Sequence, residues 1–200
     1  MYSDFVSEGY HESELDRFEV VETAFSAEEV EAIRRLGGAL DLSEGAIGGG
    51  EQVDQEIRKS RIGWIQLDEE SFWLFERLGE LVLDCNRRLW RFDLGGLPDQ
   101  LQYSRYEAPA GGYDWHLDVA SSSTMKMGAQ RKISIVVQLS DPDACFGGEL
   151  ELRPARHVVA PFLEPGAAVL FPSYLLHRVA PVKQGTRESL VSWVSGPPFR

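Results

Sequence analysis

Cysteine is scarce in this chain, with Cys85 and Cys145 the only 2 among 200 residues. Two cysteines cannot build the disulfide framework of a small secreted protein, so each is expected to be a free thiol in a reducing compartment. The sequence also lacks an apolar run of about 18 residues, so no membrane-spanning helix is predicted. Its first residues lack the basic start and apolar core of a signal peptide. We therefore expect a soluble, cytoplasmic protein with no membrane partner.

Lysine and arginine are also in deficit, at 20 residues against 32 aspartates and glutamates, which gives a net charge of -12. Binding to nucleic acid relies on basic surfaces that release counterions, so this charge argues against a nucleic-acid partner. One basic cluster, Arg58-Lys59-Ser60-Arg61, is interpreted as a solvated loop or a substrate contact. The glycines at 48–50 are not followed by the Lys-Ser/Thr pair of a phosphate-binding loop, so they predict only a flexible connection.

The clearest chemical signal is a set of two histidines and one carboxylate, His116, Asp118 and His177. On an extended strand, residues i and i+2 project from the same face, so His116 and Asp118 can chelate one ion together. His177 lies farther along the chain than a zinc finger would place its ligands, which favours a fold that brings distant strands side by side. Two imidazoles and one carboxylate can occupy one face of an octahedral Fe(II) ion and leave the other positions open. The set predicts a redox-active iron site.

Arg187 follows His177 at a distance that allows one strand to end, a turn at Pro181 and Gly185 to reverse the chain, and a neighbouring strand to run back. This arrangement predicts a buried cation near the iron. A cofactor with two carboxylate ends would use both features, because one end can chelate the metal while the other meets the fixed fork of a guanidinium.

Residues 101–194 resemble the 2-oxoglutarate- and Fe(II)-dependent oxygenases, especially the prolyl 4-hydroxylase-like branch. The resemblance covers about the last half of the chain and is carried by an ordered string of motifs. The matching residues are Tyr106, Tyr113, His116-Leu117-Asp118, Gly147-Gly148-Glu149-Leu150, Gly166, Phe171-Pro172-Ser173, His177-Arg178-Val179, Pro181-Val182, Gly185-Thr186-Arg187 and Trp193.

This resemblance implies a role for each residue of the candidate site. His116, Asp118 and His177 would be the catalytic iron ligands, and Arg187 would bind the far carboxylate of 2-oxoglutarate. Tyr106 is similar to the tyrosine that also contacts this cosubstrate in prolyl hydroxylases. The implied cofactors are Fe(II), 2-oxoglutarate and O2, with ascorbate as a reductant.

Other positions refine the implied chemistry. Halogenating relatives lack the carboxylate ligand, so Asp118 implies hydroxylation. The nucleic-acid demethylase branch tends to carry a second arginine shortly after the cosubstrate arginine, where this chain has Trp193 as prolyl hydroxylases do. Gln138 stands where some relatives place a second cosubstrate-binding tyrosine. The basic cluster at 58–61 resembles the segment that covers the active-site mouth in prolyl hydroxylases. Further candidates for the pocket lining are Tyr113, Trp115, Arg105, Arg61 and Trp64.

The expected activity is therefore hydroxylation of an unactivated C–H bond, with release of succinate and CO2. The substrate is left open between a prolyl or other residue in a protein, a free amino acid and a small molecule, and the oligomeric state is also open. Two alternatives belong to other classes. One is a cupin-like metalloenzyme that does not use 2-oxoglutarate, and the other is a non-catalytic sensor that binds iron and 2-oxoglutarate.

The N-terminal part of the chain predicts a short tail followed by two helices. Residues 1–17 are polar and acidic without periodicity, which predicts a flexible tail, and 18–25 predict a strand. Ser26 and Glu29 form a capping-box pattern at the start of a helix that ends near 37–38. A strand is expected at 62–67, and Asp68 is expected to cap a second helix that runs to about Trp90.

From residue 100 onward the chain changes to short apolar segments separated by Gly, Pro, Asp and Ser. Strands are predicted at 101–107, 132–140, 149–153, 157–160, 167–171 and 189–194, and a loop near the site at 121–127. Many short strands of this kind predict a jelly roll. The expected fold is mainly β (α+β), a double-stranded β-helix jelly roll buttressed by N-terminal helices. Residues 1–200 are predicted to form a single domain, with the catalytic core at 101–194.

Overall fold

The computed structural model describes residues 17–45, 57–119 and 129–199. The predicted tail, except for Arg17, the glycines at 48–50 and the predicted loop at 121–127 lie outside the described residues. In chain order the elements are β1 (Glu19–Val21), α1 (Ala27–Gly38), β2 (Ser43–Glu44), β3 (Arg58–Lys59), β4 (Arg61–Gln66), α2 (Phe72–Arg88), β5 (Gln100–Glu107), β6 (Gly112–His116), β7 (Gln130–Gln138), a 3-10 helix (Pro142–Ala144), β8 (Cys145–Gly147), β9 (Leu150–Leu152), β10 (Ala168–Pro172), β11 (His177–Val179) and β12 (Val182–Gly196).

Within the described ranges the strands form two sheets whose pairings are antiparallel. The larger has eight strands in the order β1-β10-β7-β12-β5-β4-β2, with β8 also paired to β12. The smaller has four strands in the order β3-β6-β11-β9. Residues of both sheets line one cavity, so the sheets face each other across it. The predicted fold, a mainly β jelly roll with N-terminal helices, is confirmed.

The two helices cover the outer face of the larger sheet. Leu74 and Leu78 of α2 and Ile33 of α1 are fully buried and belong to the same core cluster as Leu101 and Ile135 of the sheet. The larger sheet is therefore covered on both faces, by helices on one side and by the smaller sheet on the other. That double burial explains why β10 is a continuous run of buried, apolar residues. Because the helices cover only the outer face, the inner face of the larger sheet can carry a site.

The starts of the two helices differ in how well they were predicted. At α1 the Ser26 hydroxyl accepts a hydrogen bond from the Glu29 amide, and the Glu29 carboxylate accepts one from the Ser26 amide, so the capping box is confirmed. The prediction that Asp68 caps α2 is wrong, because the helix begins at Phe72 with Ser71 at its N-cap. Asp68 instead accepts hydrogen bonds from the amides of Glu70 and Ser71 and closes the turn before the helix.

Several predicted strands have different bounds in the structure. The strand at 18–25 is limited to β1, and 157–160 is not a strand, since Val159 forms only an isolated bridge to Leu152. The segment at 189–194 is the middle of the much longer β12. Gly185 lies within β12 at a φ of 74° rather than in a turn, so the chain passes from the smaller to the larger sheet around Pro181.

The sequence predicted free cysteines and no membrane-spanning helix. Cys85 and Cys145 are both free thiols. Neither helix of the described chain is long and apolar enough to cross a membrane.

The buried face of α2 gives a test of the core. Leu78 has 0% of its surface exposed, so Leu78→Ala is expected to lower the free energy of unfolding by about 2–5 kcal/mol through lost burial and a residual cavity. Leu83 on the same helix is 65% exposed, and Leu83→Ala is expected to change stability by less than about 0.5 kcal/mol. Urea denaturation of both variants measures the difference, and equal effects would contradict the packing of this helix.

Candidate metal centre

The three candidate ligands converge on the smaller sheet. His116 is the last residue of β6 and His177 is the first of β11, and the two are direct Cα partners across this antiparallel pair. Asp118 follows His116 by two residues. Its carboxylate oxygens lie 3.7 Å from Nε2 of His116 and 3.3 Å from Nε2 of His177. One potential ligand atom from each of the three residues lies within 4.8 Å of the others.

Both imidazoles are held with Nε2 turned inward. Nδ1 of His116 lies 2.7 Å from the carbonyl oxygen of Asp114, and Nδ1 of His177 lies 2.9 Å from that of Leu175. A carbonyl can only accept a hydrogen bond, so each Nδ1 is the protonated nitrogen and each neutral ring leaves the Nε2 lone pair free. A backbone partner of this kind fixes the tautomer and orientation that a metal-binding histidine needs.

Asp118 is oriented by two serines, of which the sequence motifs included Ser173 but not Ser134. The Ser134 hydroxyl on β7 donates a hydrogen bond of 2.7 Å to Oδ2 of Asp118, and Ser173 Oγ lies 3.0 Å from Ser134 Oγ. The Asp118 amide also donates to the Ser173 carbonyl oxygen. The carboxylate on the smaller-sheet side is thus tied to the larger sheet.

This tie predicts a role for Ser134 in metal binding. Hydrogen-bond partners of ligands typically contribute about 10–100-fold to metal affinity, so Ser134→Ala is expected to weaken Fe(II) binding by about tenfold or more. Ser192→Ala is the matched control, because the Ser192 hydroxyl is buried and has no hydrogen-bond partner. Anaerobic Fe(II) titration of the two variants compares them, and the same affinity in both would exclude this role for Ser134.

The protonation states of the three residues suit a cation. Burial lowers the pKa of His116 to about 4, with the adjacent His177 adding to the effect. Burial alone would raise the pKa of Asp118, but His177 and then His116 outweigh it and hold that pKa well below its usual range. Burial likewise acts to lower the pKa of His177, yet the Asp118 carboxylate reverses the direction and raises it. A metal cation beside Asp118 would favour neutral His177, because an imidazole binds a metal through an unprotonated nitrogen.

Arg187 and Tyr106 face the same cavity from the larger sheet. They are direct Cα partners on β12 and β5, both are 3% exposed, and the guanidinium carbon lies 5.6 Å from the centre of the tyrosine ring. Nη1 of Arg187 donates to the Ser189 hydroxyl at 3.0 Å, whereas its buried Nη2 has no hydrogen-bond partner among the residues that the structure describes. Burial lowers the pKa of Arg187, and no carboxylate in the described part of the chain forms an ion pair with it. A buried cation with an unpartnered donor is costly unless a bound anion satisfies it.

The double glycine at 147–148 makes room for this arginine. Gly148 has a φ of 77°, and a Cβ at that position would lie 3.0 Å from Cδ of Arg187 and 2.9 Å from a methyl group of Val182. The turn between β8 and β9 therefore packs directly against the arginine stem, which any side chain there would displace.

The other predicted pocket residues are divided by the structure. Tyr113 lines the cavity and stacks on His116 with ring centres 3.6 Å apart. Trp115 packs under Arg178, outside the residues that line the cavity. Gln138 is also outside that lining: its amide donates to the Ser140 carbonyl oxygen, and its side chain faces a separate outer pocket. Arg61, Arg105 and Trp64 are not in the lining either.

Two further residues, Arg131 and Phe171, make contacts near the centre that the sequence did not predict. The Arg131 guanidinium lies 3.9 Å from the ring centre of Trp193, a residue that lines the cavity. Phe171 meets the His177 ring edge-on at 4.7 Å between ring centres. Both contacts depend on the pairing of distant strands, so spacing within one segment could not predict them.

The three ligand residues and Arg187 fit an Fe(II) ion and a dicarboxylic acid, respectively. Two neutral imidazoles and one carboxylate suit Fe(II) and leave room for further ligands. The unpartnered guanidinium nitrogen of Arg187, in the same cavity, suits the far carboxylate of a dicarboxylic acid that chelates the metal.

Comparison with known proteins gives a consistent result. Residues 101–195 match the family model described as the 2OG-Fe(II) oxygenase superfamily. A PKHD-type hydroxylase of Synechococcus elongatus is 36% identical over 124 residues, 60% of this chain and 55% of the relative, so the match spans about half of that relative's length. A PKHD-type hydroxylase of Xanthomonas campestris is 30% identical over 162 residues, 78% of this chain and 68% of the relative.

Among solved structures, a prolyl hydroxylase from Trichoplax adhaerens, in complex with an oxygen degradation domain peptide of hypoxia inducible factor, superposes with a TM-score of 0.71. It is 21% identical, and the superposition covers 88% of this chain and 82% of the other. The fold is therefore shared with this prolyl hydroxylase. The chain belongs to the 2OG-Fe(II) oxygenase superfamily and is similar in sequence to its PKHD-type hydroxylases.

Proposed function

We propose that this protein is an Fe(II)- and 2-oxoglutarate-dependent dioxygenase that hydroxylates an unactivated C–H bond. The observation that carries the proposal is a single cavity with metal-ligand atoms on one wall and a buried, unpartnered guanidinium nitrogen on the other. Metal ligands alone would suit many functions. Their combination with Arg187 suits a cosubstrate that has a chelating end and a carboxylate end.

In this proposal each residue has a defined task. His116, Asp118 and His177 hold Fe(II), with the imidazoles kept neutral and Asp118 ionised. Arg187 binds the far carboxylate of 2-oxoglutarate through a charge-assisted hydrogen bond, and Tyr106 lies beside the same cosubstrate. These five residues are the candidate catalytic, metal-binding and cosubstrate-binding set.

The rest of the cavity protects and orients the reactants. Bound Fe(II), with 2-oxoglutarate and O2, supplies the oxidising chemistry that hydroxylates the substrate, and ascorbate would serve as a reductant. Val136, Leu150 and Val191 line the cavity with apolar surface, which excludes water around the charged groups. Ser134 holds the Asp118 carboxylate in place.

The favoured substrate is a prolyl or other amino-acid residue within a protein or peptide. A fold shared with a prolyl hydroxylase that was solved with a bound peptide supports this choice. A free amino acid or another small molecule is the second candidate, since the cavity residues do not themselves require a polypeptide.

The two alternatives of other classes account for less of the site. A cupin-like metalloenzyme that does not use 2-oxoglutarate leaves the buried Arg187 without a task. A non-catalytic sensor would retain the same binding residues, so it differs from the proposal only in the absence of turnover.

We further propose that residues 1–200 act as one domain with the catalytic core at 101–194, in the cytoplasm. The pairing of β1 with β10 and of β4 with β5 supports the first part, because N-terminal strands belong to the core sheet. Two free thiols agree with a reducing compartment.

Peptide hydroxylation tests this function. Proline-containing peptides are incubated with the protein, Fe(II), 2-oxoglutarate, ascorbate and air, and the mass of each peptide is measured. We expect a gain of one oxygen atom that requires 2-oxoglutarate. Peptides with alanine in place of proline serve as the control for the site of reaction, and His177→Ala serves as the control for the enzyme. Oxidation that persists without 2-oxoglutarate would favour the cupin-like alternative.

A further inference from the structure

A basic groove opens beside the proposed metal centre, on the side formed by β3, β4 and the end of β5. We define the basic groove by Arg58, Lys59, Arg61 and Arg105, with Glu44 and Glu107 at its edges, and its volume is about 300 Å³. A second depression of about 450 Å³ shares Arg61 and Arg105 with it. Its other charged residues are mixed in sign: Arg34, Arg35, Glu31, Asp41 and Glu188.

The groove is continuous with the proposed active site through one side chain. Arg58 lines both the groove and the cavity that contains the candidate ligands. Its guanidinium carbon lies 4.9 Å from the ring centre of Tyr113, and that ring stacks on His116 at 3.6 Å. Arg58 is only 7% exposed, so it forms a shared wall, and a chain bound in the groove would lie next to the cavity.

The groove carries positive charge on a protein that is acidic overall. Four of the six side chains that define it are cationic, whereas the whole chain has a net charge of -12. Lys59 donates to the carbonyl oxygen of Pro109 at 3.1 Å, and Arg61 donates to that of Leu42 at 2.9 Å. Neither side chain forms an ion pair with a carboxylate in the described ranges. These bonds hold the cations in place without neutralising them.

Arg105 adds to the positive charge of the groove. It pairs with Glu107 at 3.0 Å, yet its Nε is buried and has no hydrogen-bond partner. Arg61 and Arg105 are also direct Cα partners across β4 and β5, and like charges in that relation destabilise a sheet. A carboxylate bound between them would relieve the repulsion.

Carboxylates flank the pair formed by Arg61 and Arg105 on both sides of the sheet row. Glu44 is the Cα partner of Arg61, and Glu188 is the Cα partner of Arg105 on the other side. Glu188 is already occupied, because it accepts a hydrogen bond of 2.6 Å from the Tyr103 hydroxyl and pairs with Arg34 at 3.0 Å. Arg105 is paired with Glu107, so the charge of the groove rests mainly on Lys59 and Arg61, for which the described ranges show no ion pair.

We propose that the basic groove binds an acidic segment of a peptide substrate, adjacent in sequence to the residue that enters the cavity. This inference rests on the proposed function and adds the chemical class of the substrate, a polypeptide with aspartate or glutamate beside the target residue. Charge complementarity of this kind sets partner choice and association rate more than it sets raw affinity.

Binding of a simple acidic peptide tests the groove. The probe is a fluorescein-labelled oligo-glutamate of about eight residues, which spans about 27 Å when extended, and binding is followed by fluorescence anisotropy. We expect saturable binding that weakens with added salt, and no binding of an oligo-glutamine of the same length. Lys59→Gln combined with Arg61→Gln is expected to weaken binding by about tenfold. Arg87→Gln, which removes an exposed arginine of α2 elsewhere on the surface, is the matched control and should leave the affinity unchanged.

The outcomes separate the groove from the catalytic proposal. Because anisotropy requires no turnover, oligo-glutamate binding stands or fails independently of succinate formation by the wild-type protein. The single variant Lys59→Gln, expected to weaken binding by about threefold, covers the case in which the double variant does not fold. Equal affinity in the wild-type protein, the double variant and Arg87→Gln would overturn the inference, as would the absence of oligo-glutamate binding to the wild-type protein.

Discussion

His177→Ala is expected to weaken Fe(II) binding by more than about a hundredfold and to abolish 2-oxoglutarate turnover. Loss of a residue that only orients a ligand costs about 10–100-fold in metal affinity, so loss of a ligand itself should exceed that range. His177 is 4% exposed and lies between Asp118 and Phe171, so its removal also leaves the carboxylate without its nearest imidazole. Anaerobic Fe(II) titration measures the effect.

The matched control uses another histidine of the same chain. His157 is exposed and is not part of the ligand cluster found in the described residues, so His157→Ala should bind Fe(II) as the wild-type protein does. If His177→Ala retained wild-type affinity, the metal would have to bind elsewhere. Equal losses in both variants would indicate general damage to the fold.

Arg187→Met is expected to reduce the affinity for 2-oxoglutarate by at least about thirtyfold. Removal of one member of a buried, hydrogen-bonded charge pair costs about 2–5 kcal/mol, and the lower bound corresponds to this factor. Without cosubstrate, the same change should lower the free energy of unfolding by no more than about 1 kcal/mol. The reason is that burial of an unpaired guanidinium is itself unfavourable. Affinity and stability should thus respond differently.

Isothermal titration with 2-oxoglutarate and thermal unfolding provide the two measurements. Arg178→Ala is the control, since Arg178 follows His177 directly but pairs outside the cavity lining with Glu151 at 2.7 Å. Its affinity for 2-oxoglutarate should match that of the wild-type protein. A large loss of stability in Arg187→Met with unchanged affinity would make Arg187 a structural residue and would favour the cupin-like alternative.

Local sequence patterns predicted the parts of this protein that depend on local geometry. The capping box at Ser26 and Glu29 needs only neighbouring residues, and it is present in the structure. The shared face of His116 and Asp118 follows from the two-residue repeat of an extended chain. Their convergence with His177 depends on the pairing of β6 and β11, which only the ordered string of family motifs suggested.

The parts that could not be predicted depend on distant contacts. Ser134 supports Asp118 through a hydrogen bond between residues 16 positions apart, and nothing in the local sequence distinguishes this serine from Ser189 or Ser192 on β12. Gly185 suggested a turn, but at a φ of 74° it is accommodated inside β12 beside a shift in register with β8. Aspartate is a residue type that often caps helices, which suggested Asp68. Ser71 is at the N-cap of α2 instead, because Asp68 closes the preceding turn.

Succinate formation tests the central claim most directly. Protein purified without oxygen is supplied with Fe(II), ascorbate and 2-oxoglutarate and then exposed to air, with His177→Ala as the blank. The proposed function predicts slow formation of succinate by the wild-type protein without added substrate, absent from the variant and increased by a peptide that is hydroxylated. No succinate from a wild-type protein that binds both Fe(II) and 2-oxoglutarate, with every peptide tested, would contradict the claim and indicate a sensor.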